Sequence, residues 1–284
     1  MGKILVLSEK DIKDVFKMSD AISAVSLAAV AYSKGDADIP LRANIGVKEH
    51  NGDSLYMYGY VKGIDALGVK MVSVYPDNPS LGLSSCPATM VLENAKTGEV
   101  KCLLDGTFLT RLRTGALSGV ATKYLSRTNS TVFALIGTGG QAESQLEAVL
   151  NVRNINEVRV YSKNYSHVEN FVNKVKLKYN VNFVMCKSSV EAITGADIVT
   201  CVTVSNEPVI DGTKFKKGVH VNAVGSYTPE MSEIDEYTVL NANKIIVDTM
   251  DGTINETGVA VNILLHVIDA LPYLFCSPNF PSIK

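Results

Sequence analysis

The feature that most constrains the fold is an apolar run that leads directly into a glycine-rich loop. Residues 131–136 read TVFALI, and the next six residues are Gly137, Thr138, Gly139, Gly140, Gln141 and Ala142. Apolar residues then recur at helical spacing as far as Val152. Gly137 permits a tight turn, Gly139 lets a phosphate approach the backbone, and Ala142 keeps the helix close to the strand. This strand–loop–helix order predicts that the six residues bind the pyrophosphate of a dinucleotide.

The residues around this loop alternate between strand-like and helix-like segments. Helices are predicted at 109–125, 141–152, 166–179 and 190–194, and strands at 131–136, 157–161, 183–186, 198–204, 219–224 and 244–248. Near-continuous apolar strands that alternate with helices are typical of a sheet buried on both faces. We therefore predict an α/β fold for residues 111–260, a Rossmann-type doubly wound parallel sheet.

The first part of the chain has a different pattern. Ser8 is predicted to cap one helix, and Ser19-Asp20 a second helix that ends at Gly35. Strand-like segments follow at 55–61, 66–75 and 88–93, separated by short turns. Residues 1–110 are therefore predicted to form an α+β domain with mainly antiparallel strands, and residues 261–284 a separate C-terminal segment.

Composition narrows the class of partner. The chain has 27 basic and 29 acidic residues, so its charge offers no footprint for nucleic acid or an anionic membrane. Its five cysteines are scattered without a C-x-x-C pair, so no metal site is expected and the thiols are predicted to be reduced. The apolar run 4–7 is too short for a signal peptide or a membrane span. A cytoplasmic protein with a small-molecule partner is expected.

The end of the second predicted strand bears on the choice of dinucleotide. An acidic residue at this position accepts hydrogen bonds from the ribose hydroxyls of NAD, whereas the 2′-phosphate of NADP favours cations and hydroxyls. Here the strand is followed by Ser162, Lys163 and Asn164, with no carboxylate. NADP(H) is therefore favoured over NAD(H).

Three basic residues in the first half of the chain are candidates for substrate binding: Arg42, Lys70 and Arg113. Lys70 is unusual because it interrupts an apolar strand pattern, where an unpaired charge is costly to bury. Taken singly, each is typical of a solvated surface charge, and sequence spacing alone does not bring them together.

Several segments resemble one known family. They are residues 113–125, which begin RTGA, the stretch 135–142, the segments 196–199 and 222–226, and the turn at 78–82. Together they resemble the ornithine cyclodeaminase and mu-crystallin family, and the resemblance runs from the first helices to about Gly258.

The resemblance implies a substrate and dimerisation domain joined to a Rossmann domain, with the active site between them, in a homodimer. It implies that Arg42, Lys70 and Arg113 surround a substrate carboxylate. Thr114 is implied near the cofactor phosphates, and Val224, Gly225 and Ser226 beside the nicotinamide. Two neighbouring arginines would also lower the pKa of Lys70, which favours a role in proton transfer near neutral pH.

Two departures from the family shape the functional prediction. Tyr227 stands where cyclodeaminases carry an acid/base aspartate, which disfavours elimination of ammonia. The residues after Gly258 also differ, and we expect a shortened C-terminal segment there. The predicted function is NAD(P)H-dependent reduction of a small cyclic imino acid, such as pyrroline-2-carboxylate or another ketimine. The alternatives are an ornithine cyclodeaminase, an alanine dehydrogenase-like enzyme and a mu-crystallin-like binding protein.

Overall fold

The computed structural model describes residues 3–249, which divide into two compact units. The first unit contains the chain up to Leu125 together with Glu143–Asn154. The second contains Ser126–Ala142 and the described residues from Ile155 onward. The predicted segment 261–284 and the end of the predicted domain 111–260 lie outside the described residues.

The first unit is built on a seven-stranded sheet. Its strands, in chain order, are β1 (Leu5–Leu7), β2 (Ala37–Asp38), β3 (Ala43–Val47), β4 (Gly52–Val61), β5 (Ala66–Val74), β6 (Ala88–Asn94) and β7 (Val100–Asp105). The sheet has the order β1-β7-β6-β5-β4-β2, with β3 also paired to β4. Only β1 and β7 pair in parallel, so the predicted antiparallel character of this region is confirmed.

Four helices complete this unit: α1 (Glu9–Val15), α2 (Met18–Ser33), α3 (Gly106–Leu125) and α4 (Ala142–Val152). The predicted Ser8 cap is confirmed, because its side chain accepts a hydrogen bond from the Asp11 amide at 3.3 Å. The predicted cap at Ser19-Asp20 is wrong, since α2 already begins at Met18. The Asp20 carboxylate instead accepts the Lys17 amide at 2.9 Å, which lets the helix start earlier.

Small residues allow the helices of the first unit to pack closely. Its buried core includes Met18 and Ile22 of α2, Ala116 of α3 and Ala148 of α4. A Cβ atom added to Gly119 of α3 would lie 2.9 Å from Cδ1 of Ile22. A larger residue at this position would have to displace the Ile22 side chain.

Within residues 3–249, no single helix is both long and apolar enough to cross a membrane. Helices α1 and α2 reach the length and apolar composition of a membrane span only when they are taken together, and the pair is bent by 88°.

The second unit is built on five parallel strands: β8 (Val132–Ile136), β9 (Glu157–Tyr161), β10 (Asn182–Met185), β11 (Ile198–Cys201) and β12 (His220–Ala223). Its helices are α5 (Tyr165–Val175), α6 (Ser189–Ile193) and α7 (Glu236–Leu240). The sheet order is β10-β9-β8-β11-β12, so successive strands are added outward in one direction from β8 and in the opposite direction from β11. This change in strand order is the switch point at which open α/β sheets bind ligands. The parallel pairing of all five strands confirms the predicted parallel sheet.

A buried carboxylate joins the strands of this sheet at their amino ends. Asp197 accepts hydrogen bonds from the amides of Thr131 and Val132, at 2.9 and 3.0 Å. It also pairs with Arg127 at 2.7 Å and Lys216 at 2.6 Å. Burial acts to raise the pKa of Asp197, but these contacts outweigh it and hold the pKa well below its usual range.

Two strand predictions in this unit need correction. Residues 244–248 form no strand in the described part of the chain, so that prediction is wrong. The strand predicted at 198–204 ends at Cys201. The physical reason is local, because the amide of Thr203 donates to the Glu233 side chain instead of to a neighbouring strand.

Candidate functional site

In the first unit, the structure brings the three predicted basic residues together. Lys70 lies in the middle of β5, between Met57 of β4 and Met90 of β6. Burial lowers the pKa of Lys70 to about 7, with further contributions from the positive charges of Arg113 and Arg42. Arg113 lies on α3, and Arg42 precedes β3. The lysine is therefore poised to exchange a proton near neutral pH, beside two permanent positive charges.

A cavity of about 380 Å³ opens beside this basic group. Lys70 and Arg113 are the only charged residues in its described lining, which otherwise includes Met57, Met90 and Leu109. Thr110 also lines it, and its buried hydroxyl has no hydrogen-bond partner among the described residues. Such a cavity suits a small anion with an apolar body.

In the second unit, the glycine loop begins at the end of β8, at the switch point of the sheet. Gly137 has a φ of 107°, and its amide donates to the carbonyl of Tyr161 at 2.8 Å. A Cβ atom at Gly137 would lie 2.7 Å from the carbonyl oxygen of Val202, so only glycine fits. Added Cβ atoms at Gly139 and Gly140 would meet nothing within 4 Å.

This loop fits the pyrophosphate of a dinucleotide. The open space over Gly139 and Gly140 lies where phosphates approach the backbone in a loop of this type. Ala142, by contrast, is fully buried, as expected for the small residue that ends the motif. Thr138 and Gln141 are intermediate in exposure and are partly buried.

The predicted ribose-binding residues follow the neighbouring strand. β9 pairs with β8 in parallel, with Tyr161 opposite Ile136, so Ser162 and Lys163 lie next to the start of the glycine loop. Lys163 is exposed. The Asn164 side chain caps α5 by accepting the amide of Ser166 at 3.0 Å.

The predicted nicotinamide loop follows β12 on the far side of β11. The Val224 amide donates to the carbonyl of Cys201 at 3.0 Å, which ties this loop to the end of β11. Gly225 and Ser226 follow and are partly buried. The loops after β8, β9 and β12 thus share one edge of the parallel sheet. Tyr227, the residue in the aspartate position, is 39% exposed.

The remaining predicted cofactor residue, Thr114, belongs to the first unit, where its hydroxyl donates to the carbonyl of Thr110 at 2.7 Å. The sequence did not point to Glu233, which is only 1% exposed and binds the ends of both β11 and β12. Glutamate is normally a surface residue, and no pattern in the surrounding sequence marks this one as buried.

Comparisons with known proteins identify the family. The family model "Ornithine cyclodeaminase/mu-crystallin family" matches residues 3–271. A Delta(1)-pyrroline-2-carboxylate reductase from Bacillus cereus is 36% identical over 255 residues, covering 90% of this chain and 78% of the relative.

Two solved structures are similar over most of the chain. The Thermococcus litoralis Delta(1)-pyrroline-2-carboxylate reductase in complex with NADH and L-proline has a TM-score of 0.88 and 38% identity, covering 93% of this chain and 82% of that one. An archaeal alanine dehydrogenase dimer with bound NAD has a TM-score of 0.85 and 32% identity, covering 93% and 80%. The chain belongs to the ornithine cyclodeaminase/mu-crystallin family.

Proposed function

We propose that this protein is a nicotinamide-dependent reductase that converts a small cyclic imino acid, of the pyrroline-2-carboxylate or ketimine type, to the amino acid. The observation that carries the proposal is Lys70, with its lowered pKa, held beside Arg113 and Arg42 at an apolar cavity without an acidic residue in its described lining. The reductases of Bacillus cereus and Thermococcus litoralis support the same chemistry.

Each group has a distinct role in this proposal. Arg42 and Arg113 bind the substrate carboxylate, since a guanidinium fork matches its two oxygens. Lys70, with a pKa of about 7, exchanges the proton that the imine nitrogen needs. Met57, Met90 and Leu109 surround the apolar ring. When bound at the glycine loop, a reduced nicotinamide supplies the hydride.

The direct test is turnover. Purified protein with pyrroline-2-carboxylate and NADH or NADPH should lose the absorbance of the reduced nicotinamide. The absence of turnover with every cyclic and acyclic imino acid tried, despite cofactor binding, would instead support a mu-crystallin-like binding protein.

A second candidate is alanine dehydrogenase activity, which the archaeal relative favours. Pyruvate with ammonium should then be a better substrate pair than the cyclic imine. Ornithine cyclodeaminase activity would release ammonia from ornithine without net change in the cofactor. The described lining of the cavity contains no acidic residue, which argues against this activity because a diamino acid brings a second ammonium group.

The glycine loop provides a matched test of cofactor binding. Gly139→Ala should leave thermal stability unchanged, because the new methyl group meets no protein atom, yet weaken binding of both dinucleotides. Gly46→Ala in β3, where the methyl group has ordinary contacts, serves as the control. Unaltered dinucleotide affinity in Gly139→Ala would place the phosphates elsewhere.

We also propose NADP(H) as the preferred cofactor, because Ser162 and exposed Lys163 follow β9 where no carboxylate is present. Lys163→Glu should weaken NADP(H) selectively, in a fluorescence titration of both dinucleotides. Lys178→Glu, which changes the same charge beyond the other end of α5, is the control. Equal loss of affinity for NAD(H) and NADP(H) would refute the preference.

The assembly and location are proposed as a cytoplasmic homodimer. The dimeric alanine dehydrogenase supports the dimer, and the free thiols of Cys86, Cys102, Cys186 and Cys201 support a reducing compartment. Sedimentation equilibrium of the purified protein tests the first point, and a monomer across the working concentration range would contradict it.

A further inference from the structure

The buried carboxylate of Glu233 is the strongest feature of the second unit that the predicted site residues do not account for. Its side chain lies between the loops that follow β11 and β12, and it is 1% exposed. No ion pair to Glu233 is present within residues 3–249. A buried carboxylate without an ion pair is costly, so its hydrogen bonds must compensate.

Each carboxylate oxygen of Glu233 binds a different strand end. Oε1 accepts the backbone amide of Thr203 and, at 2.7 Å, its hydroxyl. Oε2 accepts the amides of Val224, at 3.2 Å, and Gly225. The side chain therefore bridges the end of β11 to the start of the loop after β12. Burial raises the pKa of Glu233, although these four donors act to lower it.

Further backbone hydrogen bonds fix the segment that carries Glu233. The backbone on either side of Glu233 is tied to the segment after β11, because the Val209 amide donates to the Glu233 carbonyl at 3.0 Å and the Ser232 amide to the Ser205 carbonyl at 2.9 Å. An added Cβ atom at Gly225 would collide with the Thr203 backbone and with the Glu233 carboxylate. The loop backbone thus packs directly on its anchor and has no room to slide.

We propose that Glu233 is a positioning residue that holds the Val224–Gly225–Ser226 loop in the conformation that receives the nicotinamide. This inference rests on the proposed function, which places the nicotinamide beside that loop. Glu233 acts through the amides of Thr203, Val224 and Gly225. Loss of the bridge should free the amides of Thr203 and Gly225 and weaken cofactor binding without altering the basic residues of the first unit, while the Val224 amide keeps its hydrogen bond to the Cys201 carbonyl.

The test compares Glu233→Gln with Glu230→Gln. The second variant removes the same charge from an exposed side chain three residues earlier. In Glu233→Gln, the new side-chain amide turns two hydrogens toward backbone donors, so one strand end loses its acceptor. Without cofactor, hydrogen exchange at Thr203 or Gly225 should accelerate in this variant. The Kd for the reduced dinucleotide should rise by roughly tenfold.

The kinetic signature separates positioning from general damage. KM for the dinucleotide should rise more than KM for the imino acid in Glu233→Gln, while Glu230→Gln resembles the wild type. Thr203→Val, which removes only the hydroxyl donor, should show the same effect more weakly, and it decides the matter if Glu233→Gln does not fold.

If hydrogen exchange and cofactor affinity were unchanged in these variants, the positioning role would be overturned. Turnover by the wild-type protein would still leave the proposed function intact. If the wild type bound neither dinucleotide, both the positioning role and the proposed function would fall.

Discussion

The lowered pKa of Lys70 predicts that this residue, which the proposed reaction needs, destabilises the folded protein. Its pKa falls from the 10.5 of a free lysine side chain to about 7. As the pH falls through 10.5, the unfolded chain binds a proton that native Lys70 does not accept until about pH 7. Native stability is therefore lost across this window as the pH falls. At about 1.4 kcal/mol per pH unit, the full loss is about 5 kcal/mol.

Replacing Lys70 with methionine removes this penalty, because an uncharged side chain of similar shape lies in an apolar setting between Met57 and Met90. Lys70→Met should therefore be more stable than the wild type by up to about 5 kcal/mol near pH 6. By about pH 9 the advantage should shrink to about 2 kcal/mol, and above pH 10.5 it should vanish. Turnover of the imine should be lost in the same variant.

Urea unfolding of both proteins at several pH values measures this difference. Lys101→Met, at an exposed position on β7, controls for the effect of methionine itself. A Lys70→Met stability difference that does not change between about pH 6 and about pH 9 would refute the reasoning. The pH profile of kcat/KM is a second measurement. Arg113→Leu removes a positive charge that lowers the pKa of Lys70, so the inflection near pH 7 should move to higher pH.

Four further predictions concern packing and the buried acid. Asp197→Asn should destabilise the protein by about 1–3 kcal/mol at neutral pH in chemical unfolding, since its ion pairs with Arg127 and Lys216 are lost. Because the pKa of Asp197 is lowered in the fold, its contribution is complete above about pH 4 and should be lost as the pH falls further, as an acid titration of the wild type can show. Gly115→Ala should cost about 1–3 kcal/mol, because the added Cβ would meet the Ser144 backbone, and an unchanged melting temperature would contradict it. Gly137→Ala should destabilise the second unit in the same assay, whereas Gly139→Ala should not.

The parallel sheet of the second unit follows closely from the sequence, because hydrophobic periodicity reports which faces are buried, whereas β1, β2, β3 and β7 of the first sheet were not among the predicted strands. The glycine loop, the parallel strands and the antiparallel region were all predictable from local patterns. Two of the errors lie where a single side chain accepts a backbone amide hydrogen bond. Asp20 moved the start of α2, and Glu233 ended β11 by taking the amide of Thr203.

The candidate site divides in the same way. The sequence by itself determined where the glycine loop lies, because a strand, a tight turn and a helix require particular residue types within a few consecutive positions. Only the tertiary structure decided that Arg42, Lys70 and Arg113 act on one another, since they come from separate segments and their coupling depends on distance and burial. The same holds for Glu233, whose environment is assembled from the ends of two strands that meet only in the folded sheet.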